Sequence, residues 1–500
     1  MAATKYRTRS SLEKFSVKPP QDDAWSLLFR PPQDESPEER NVRLQQQQEA
    51  QRVSREIDES LQESKKLYDK KKKAIKVLLL GQAESGKSTM LRNFQLAFSP
   101  TYFHAEATIW RTIIQLNLIG SVKKLLAVIE DELEFAGSRS PRSPSTTSLS
   151  LPHNTLSDHH RRIRLRLLPL LSMETNLTRQ LLPEHYDPSR SPEICVRAGS
   201  GWKSVLERVT EVNPLSTHTN RSGHPRPTTS ETRSKDDPTL VLAASRDDII
   251  SLWEDSAIRD VLKKRGVRLE DTAGLQVFSF LNDTARIATV DYIPTEADIV
   301  RARLRTFGVE EHRFLMENGT HGANSGLGYS LTSNAGSEWY VYDVGGSRNM
   351  RPQWVPYFDD VQAIIFLAPL AFNQVLDEDR QVNRLEDSIF LWKEVCSNPL
   401  LARANIILFL NKMDILAATL AAGIRVAEYV PSYGDGSNDV ASVTKYFREK
   451  FRAYHKRLSP KPRTFFCHET SAIDTKATQA VLVGVREGIL RNHLEKLNVI

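Results

Sequence analysis

Cysteine is scarce in this sequence: Cys195, Cys396 and Cys467 stand far apart in 500 residues. That spacing excludes a disulfide framework and a zinc site built on cysteine pairs, and it fits a reducing compartment. Long apolar runs are lacking too. No stretch approaches the roughly 20 residues that span a bilayer, and the opening MAATKYRTRS has no hydrophobic signal-peptide core. The expectation is a cytoplasmic protein, soluble or peripheral at a membrane. A strong excess of one charge is also missing, since 68 Lys+Arg against 62 Asp+Glu leave +6. Over this length such a balance implies no nucleic-acid partner. Charge gathers only locally, at Lys65, Lys66 and Lys70 to Lys73, a run that suits either an acidic membrane surface or a solvated helix end.

What is present suffices for two or three compact domains, with 40% hydrophobic residues. Residues 1–45, rich in Pro, Gln and charge, read as a disordered arm. Residues 46–73 read as a long N-terminal helix, and the composition that favours it, free of Gly and Pro, begins at Glu38. The short apolar run Ala74 to Leu80 meets a Gly-rich turn and then a helical pattern from Lys87 to Phe98. Further buried strands are expected at Trp339 to Val344, Ala363 to Pro369, Asn405 to Leu410 and Thr464 to Cys467. Helical patterns at Asp379 to Val395, Ser442 to Arg457 and Val481 to Leu497 alternate with them, which predicts a doubly wound α/β domain. Residues 100–297 break that alternation. Helical spacing at Ile109 to Leu133 and Asp247 to Leu281, without convincing strands, predicts an inserted all-helical domain. Within it Arg161 to Leu182 suits a basic amphipathic helix, and the Ser/Pro-rich stretches near 137–160 and 213–240 suit loops or disorder.

The turn after the first strand reads Gly81-Gln82-Ala83-Glu84-Ser85-Gly86-Lys87-Ser88-Thr89, a match to G-x-x-x-x-G-K-[ST] in the strand-to-helix setting that the motif requires. Consecutive backbone N–H groups at a helix N-terminus surround phosphates, Lys87 adds a point charge, and the Ser88 hydroxyl can ligate magnesium. Such a loop does not separate GTP from ATP.

Asn411-Lys412-Met413-Asp414 sits at the end of another expected strand. The Asp414 carboxylate can accept two hydrogen bonds from guanine N1–H and N2–H₂, a pair that adenine lacks, and losing it would cost on the order of 3 kcal/mol. Thr470-Ser471-Ala472 offers a backbone N–H, that of Ala472, for the guanine carbonyl. Asp343-Val344-Gly345-Gly346 closes a third strand, where Asp343 can hold a magnesium-bound water and the Gly346 amide can touch a γ-phosphate.

Together these segments resemble a heterotrimeric G-protein alpha subunit over about residues 46–135 and 245–500. Asp298 to Gly308 resembles the first switch of that family and Asp343 to Arg348 the second. LWEDS at 252–256 and YIPT at 292–295 resemble the inserted domain and its exit. The resemblance implies a Ras-like P-loop GTPase domain from residues 74–99 and 298–500, with the helical domain inserted between. It also implies Mg2+ and GTP or GDP as ligands, with Ser88, Thr306 and, through water, Asp343 at the metal. Arg303 would be the catalytic arginine supplied in cis, steadied by Glu84. Asp255, Ser256, Val300, Arg301, Asn411 and Lys412 would join the nucleotide contacts. The implied partners are a β/γ dimer on the N-terminal helix and second switch, a seven-helix receptor on the C-terminal tail, and an effector.

Three positions depart from the family pattern. Ser347 replaces the glutamine that orients the attacking water, and Ala83 replaces a glycine close to the γ-phosphate. Both changes are expected to slow hydrolysis more than binding. Ala2 stands where myristoylation needs glycine. The expected function is a GTP/GDP conformational switch with slow GTPase activity. The alternatives are a nucleotide-loaded scaffold with little turnover and an unrelated P-loop ATPase.

Overall fold

The computed structural model describes residues 36–137, 156, 158–181, 195–197, 238–264, 279–316 and 338–496. Most of the arm at 1–45 and most of the stretches at 137–160 and 213–240 lie outside them.

Helix α1 spans Pro37–Lys73. Its start is set by a capping box, in which Ser36 Oγ accepts the Glu39 N–H (3.3 Å) and Glu39 Oε2 accepts the Ser36 N–H (3.0 Å). Pro37 at the first helical position needs no donor. Val53, Ile57 and Leu61 repeat every four residues along one face and are 40%, 54% and 62% exposed.

Eight strands follow among the described residues: β1 (Ile75–Leu80), β2 (Cys195–Arg197), β3 (Arg305–Phe307), β4 (Val309–Leu315), β5 (Glu338–Val344), β6 (Ala363–Pro369), β7 (Asn405–Asn411) and β8 (Phe466–Glu469). Six of them form one sheet in the order β4-β5-β1-β6-β7-β8, parallel except for β4. β1, β5 and β6 are buried at every residue, which is why they read as mainly apolar runs, although Lys76, Glu338 and Asp343 are buried within them. Alternate residues serve opposite faces. Val77 and Leu79 pack with α2 (Lys87–Phe98) and a C-terminal helix at Thr475–Lys496, through Phe94, Leu482 and Val485. Leu78 and Phe366 pack on the other face with Trp392, Phe447 and Phe451. The chain runs from β1 to β4 and β5 on one side, then crosses to β6 on the other. The order thus reverses at β1, and the crevice at the strands' carboxyl ends is opened there.

Between α2 and β3 lies a helical bundle. Its centre is α3 (Ala107–Gly137), whose Ile113, Ile114, Leu118 and Ile119 are fully buried. Around it pack α4 (Asp158–Leu181), α5 (Arg246–Glu254), α6 (Ser256–Lys264) and α7 (Glu296–Arg301). Two expectations are corrected here. The stretch Ala107–Glu134 is long and apolar enough to cross a membrane by length and composition, although most of it is buried in this core. The insertion also carries a strand, since β2 pairs in parallel with β3 in the register Val196↔Thr306.

Boundaries shift for local reasons. α8 (Arg384–Ser397) begins five residues later than the apolar pattern suggests, because Asn383 Oδ1 caps it, accepting from the N–H of Leu385 (2.9 Å) and Glu386 (3.3 Å). α9 (Met413–Ala421), α10 (Val440–Leu458) and α11, the C-terminal helix at Thr475–Lys496, complete the layers.

Candidate functional site

β1 ends at Leu80, and the chain turns through residues 81–86 into α2. Gly81, Glu84 and Gly86 take left-handed backbone angles, with φ of 148°, 58° and 99°. Crowding also demands the glycines. A Cβ on Gly81 would lie 2.6 Å from the Leu367 carbonyl oxygen, and one on Gly86 would lie 2.4 Å from Asn411 Nδ2. The buried Lys87 folds back along the loop, its Nζ donating to the carbonyls of Gly81 (3.0 Å) and Gln82 (2.8 Å).

Side chains tie this loop to α8. Gln82 is fully buried, and its Nε2 donates to the Arg384 carbonyl (3.0 Å) and to Ser388 Oγ (2.7 Å). Arg384, 1% exposed, answers with a bond to the Ala83 carbonyl (2.9 Å) and one to Glu84 Oε2 (3.4 Å). Sequence reasoning missed Arg384; Gln82, expected among the nucleotide contacts as part of the loop backbone, turns its side chain into the protein. Burial alone would raise the Glu84 carboxyl, but Arg303, Arg384 and Lys412 outweigh it and bring it down to about 2. Burial pushes the Lys412 ammonium down to about 8 against the pull of Glu84.

Ser88 in the first turn of α2 donates to Asp343 Oδ2 at the end of β5 (2.6 Å). Asp343 Oδ1 is buried and has no partner among the described residues. Burial raises this carboxyl above its usual range although Lys87, Ser88 and Arg92 pull the other way. A hydroxyl beside a half-satisfied carboxylate is a hard-oxygen donor set, and it fits magnesium. Among the described residues no group of three or more His, Cys, Asp or Glu is placed to hold a metal, so the remaining ligands would be hydroxyl, water and phosphate oxygens. Thr306 lies in β3, and its side chain is outside the described residues.

Gly346, two residues beyond β5, lies against the phosphate loop: a Cβ there would sit 2.4 Å from the Gln82 carbonyl carbon and 2.5 Å from the Ala83 nitrogen. Ser347 then leads into a 3-10 helix at Arg348–Asp360 that contains Pro352 and Pro356. Ala83, Glu84, Lys87, Ser88, Thr89 and Arg303 line a cavity of about 140 Å³ together with Asp343, Ser347 and Lys412.

Asn411, at the end of β7, joins two loops. Its Nδ2 donates to the Ser85 carbonyl (2.8 Å), and its Oδ1 accepts from Thr470 Oγ1 (3.1 Å) and the Ala472 N–H (3.2 Å). Asp414 is exposed and does not line the cavity, accepting from Ser471 Oγ at 2.5 Å. The two segments expected to read a base are thus bonded to each other and to the phosphate loop.

Other expected residues are placed apart from the cavity or face it differently. Val300 is buried in the bundle core, and Arg301 lines the cavity while pairing with Asp283 (3.2 Å) and Asp298 (2.9 Å). Both oxygens of Asp255 are engaged, one by the Ala257 N–H (2.8 Å) and one by His160 Nε2 (3.1 Å). Ser256 is exposed, and neither it nor Asp255 lines the cavity. At the start of the segment expected to form the first switch, the buried Asp298 carboxylate accepts from Arg286 (2.6 and 2.8 Å), from Tyr292 Oη (3.0 Å) and from the Thr295 N–H (3.0 Å).

Comparison with known proteins points the same way. The sequence profile for the G-protein alpha subunit matches residues 51–489. The guanine nucleotide-binding protein alpha-4 subunit of Mycosarcoma maydis is 31% identical, over 95% of this chain and 95% of its own. The alpha-16 subunit of Caenorhabditis elegans is 26% identical, over 91% of this chain and 98% of that one. The G(o) subunit alpha of Geodia cydonium is 24% identical, with the same coverage of 91% and 98%.

Proposed function

The chain belongs to the G-protein alpha-subunit family, and on that premise we propose that it binds GTP and GDP with magnesium and signals by changing conformation between the two. The observation that carries this reading is the double role of Asn411, which bonds the phosphate loop at Ser85 and the Ala472 loop at once. Such a link assembles a phosphate grip and a base-reading edge as one piece, before any ligand arrives.

In this reading the loop amides from Gly81 to Ser88 take the phosphates, and Lys87 leaves its loop carbonyls for the outer phosphate oxygens. Asp414 accepts from the guanine edge. Magnesium would be held by Ser88 and Thr306 and, through water, by Asp343, and would neutralise phosphate charge. Arg303 stabilises the charge that develops as water attacks the γ-phosphate, and Glu84 keeps Arg303 aimed at the cavity. The Gly346 amide follows the γ-phosphate, so GTP and GDP leave the second switch in different places. Slow hydrolysis is proposed because Ser347 is too short to hold the attacking water and the Ala83 methyl crowds the loop.

A nucleotide-loaded scaffold with little turnover is the second reading, consistent with Ser347 and Ala83 at the positions of the usual glutamine and glycine. The exposed apolar face of α1 supports a β/γ dimer as partner, with the second switch as the other contact. A receptor at the C-terminal tail, an effector and a peripheral place at the cytoplasmic membrane face complete the proposal.

Titration calorimetry on nucleotide-stripped protein tests it. GTP and GDP should bind and ATP should not compete at equal concentration, while Asp414→Ala should weaken GTP about a hundredfold. Absence of saturable guanine-nucleotide binding would overturn the reading.

A further inference from the structure

Asn117 lies in the middle of α3, inside the apolar run IIQLNLIG, and is 9% exposed. A polar amide in such a place is costly unless both of its halves are bonded. Both are, and to one residue. Asn117 Oδ1 accepts the Arg303 N–H at 2.6 Å, and Asn117 Nδ2 donates to the Arg303 carbonyl at 2.9 Å. Arg303 falls between α7 and β3, where no helix or strand ladder holds the backbone. The Asn117 side chain supplies the pair of bonds that a neighbouring strand would have given.

The approach to Arg303 is gripped from a second side. Arg92 of α2, one turn beyond the phosphate loop, is buried and donates to the carbonyls of Ile299 (2.8 Å), Val300 (2.9 Å) and Ala302 (2.5 Å). Its guanidinium also lies over the Trp110 ring, 4.5 Å from the centroid. Residues 299–303 are therefore strung between two fixed points. One belongs to the phosphate-binding helix and the other to the inserted bundle. With φ and ψ of Arg303 held, its side chain leaves the backbone in a set direction, and it lines the cavity with Lys87 and Ser88.

We infer that Asn117 is a positioning residue for Arg303, through which the inserted helical bundle places the arginine at the cavity. The inference rests on the reading of Arg303 as a group acting on the γ-phosphate. It makes hydrolysis depend on the seating of α3, while phosphate and base binding do not.

The test is single-turnover hydrolysis of pre-bound GTP, with affinity for a non-hydrolysable GTP analogue measured in parallel. Four proteins are compared: the natural chain, Asn117→Leu, Arg303→Ala and the double variant. Leucine matches the volume and suits the apolar helix, so the fold is kept while both bonds are lost. Asn117→Ala serves as a second variant. Asn117→Leu should hydrolyse about tenfold to a hundredfold more slowly, the scale of a reacting group displaced by about 1 Å. Analogue affinity should stay unchanged. In the Arg303→Ala background the Asn117 substitution should cost nothing more. Equal slowing with and without Arg303, or slowing by Arg303→Ala without slowing by either Asn117 variant, would overturn the inference. If Arg303→Ala is itself without effect, or the natural chain is no faster than spontaneous hydrolysis, the reading of Arg303 falls, and the inference falls with it.

Discussion

The Ser88 hydroxyl and the Asp343 carboxylate meet across 2.6 Å, joining the helix after the phosphate loop to the carboxyl end of β5. The bond satisfies one carboxylate oxygen and leaves Oδ1 buried without a partner among the described residues. Without a cation this charge is a burden, since burial raises the Asp343 carboxyl above its ordinary range.

Asp343→Asn should therefore stabilise the protein in the absence of nucleotide and magnesium, raising its thermal midpoint by roughly 2 °C. The sign with pH is fixed. A carboxyl whose folded pKa is raised destabilises as pH rises past the ordinary carboxylate range, so the advantage of the amide should widen from pH 4 to pH 7. The same substitution should abolish the extra stabilisation that magnesium adds to GTP. Thermal melts with and without magnesium at both pH values check this, and equal midpoints at pH 7 would count against it.

Glu84 carries the opposite sign. Its carboxyl is held at about 2 within a ring of Arg303, Arg384 and Lys412, so the stability it contributes is full above the ordinary carboxylate pKa and is lost as pH falls towards 2. Glu84→Gln leaves three cations facing one another and should cost about 3 kcal/mol at pH 7. Urea denaturation of the nucleotide-free protein should show that gap closing below about pH 4. A gap of constant size between pH 7 and pH 3 would mean that shape, and not charge, is what Glu84 supplies.

Gly346 has no room for a side chain, because its Cβ would lie within 2.5 Å of three backbone atoms of Gln82 and Ala83. Backbone atoms cannot swing aside as a side-chain tip can. Gly346→Ala must therefore push the second switch off the phosphate loop, whichever nucleotide is bound. Affinity for a non-hydrolysable GTP analogue should fall about tenfold or more while GDP affinity changes little, since only the former needs the Gly346 amide nearby. Calorimetry with both ligands decides the matter.

Much of this site was legible in the chain because its parts are local. Gly81 to Thr89 and Asn411 to Asp414 are contiguous motifs at strand ends, and β1, β6 and β7 are buried on both faces, so each reads as an apolar run. Other elements left no such trace. β4, with the sequence VEEHRFL, is an edge strand held antiparallel to β5 and laced by the Arg313–Glu338 pair, so its pattern is charged. β2 is three residues long and exists only through its pairing with β3. Arg384 acts on Ala83 and Glu84 across 301 and 300 positions, and Asn117 on Arg303 across 186. A single arginine or asparagine carries no spacing from which such a partner can be read.

The Ser347 backbone is extended, with φ −66° and ψ 151°, a conformation open to any L residue. Its carbonyl already caps the following turn by accepting the Met350 N–H at 2.9 Å, so a change of side chain need not disturb the backbone. Ser347 lines the cavity with Arg303 and Lys87. A glutamine there would carry its amide two carbons farther than the serine hydroxyl, far enough to accept from a water and donate to a phosphate oxygen together. Ser347→Gln should raise the single-turnover rate of GTP hydrolysis at least about tenfold through orientation of the water, with affinity for the non-hydrolysable analogue unchanged. Ala83→Gly added to it should raise the rate again if the methyl group crowds the γ-phosphate. A rate unmoved by Ser347→Gln but raised by Ala83→Gly would make loop crowding the limiting defect, and a rate unmoved by both would favour the scaffold reading.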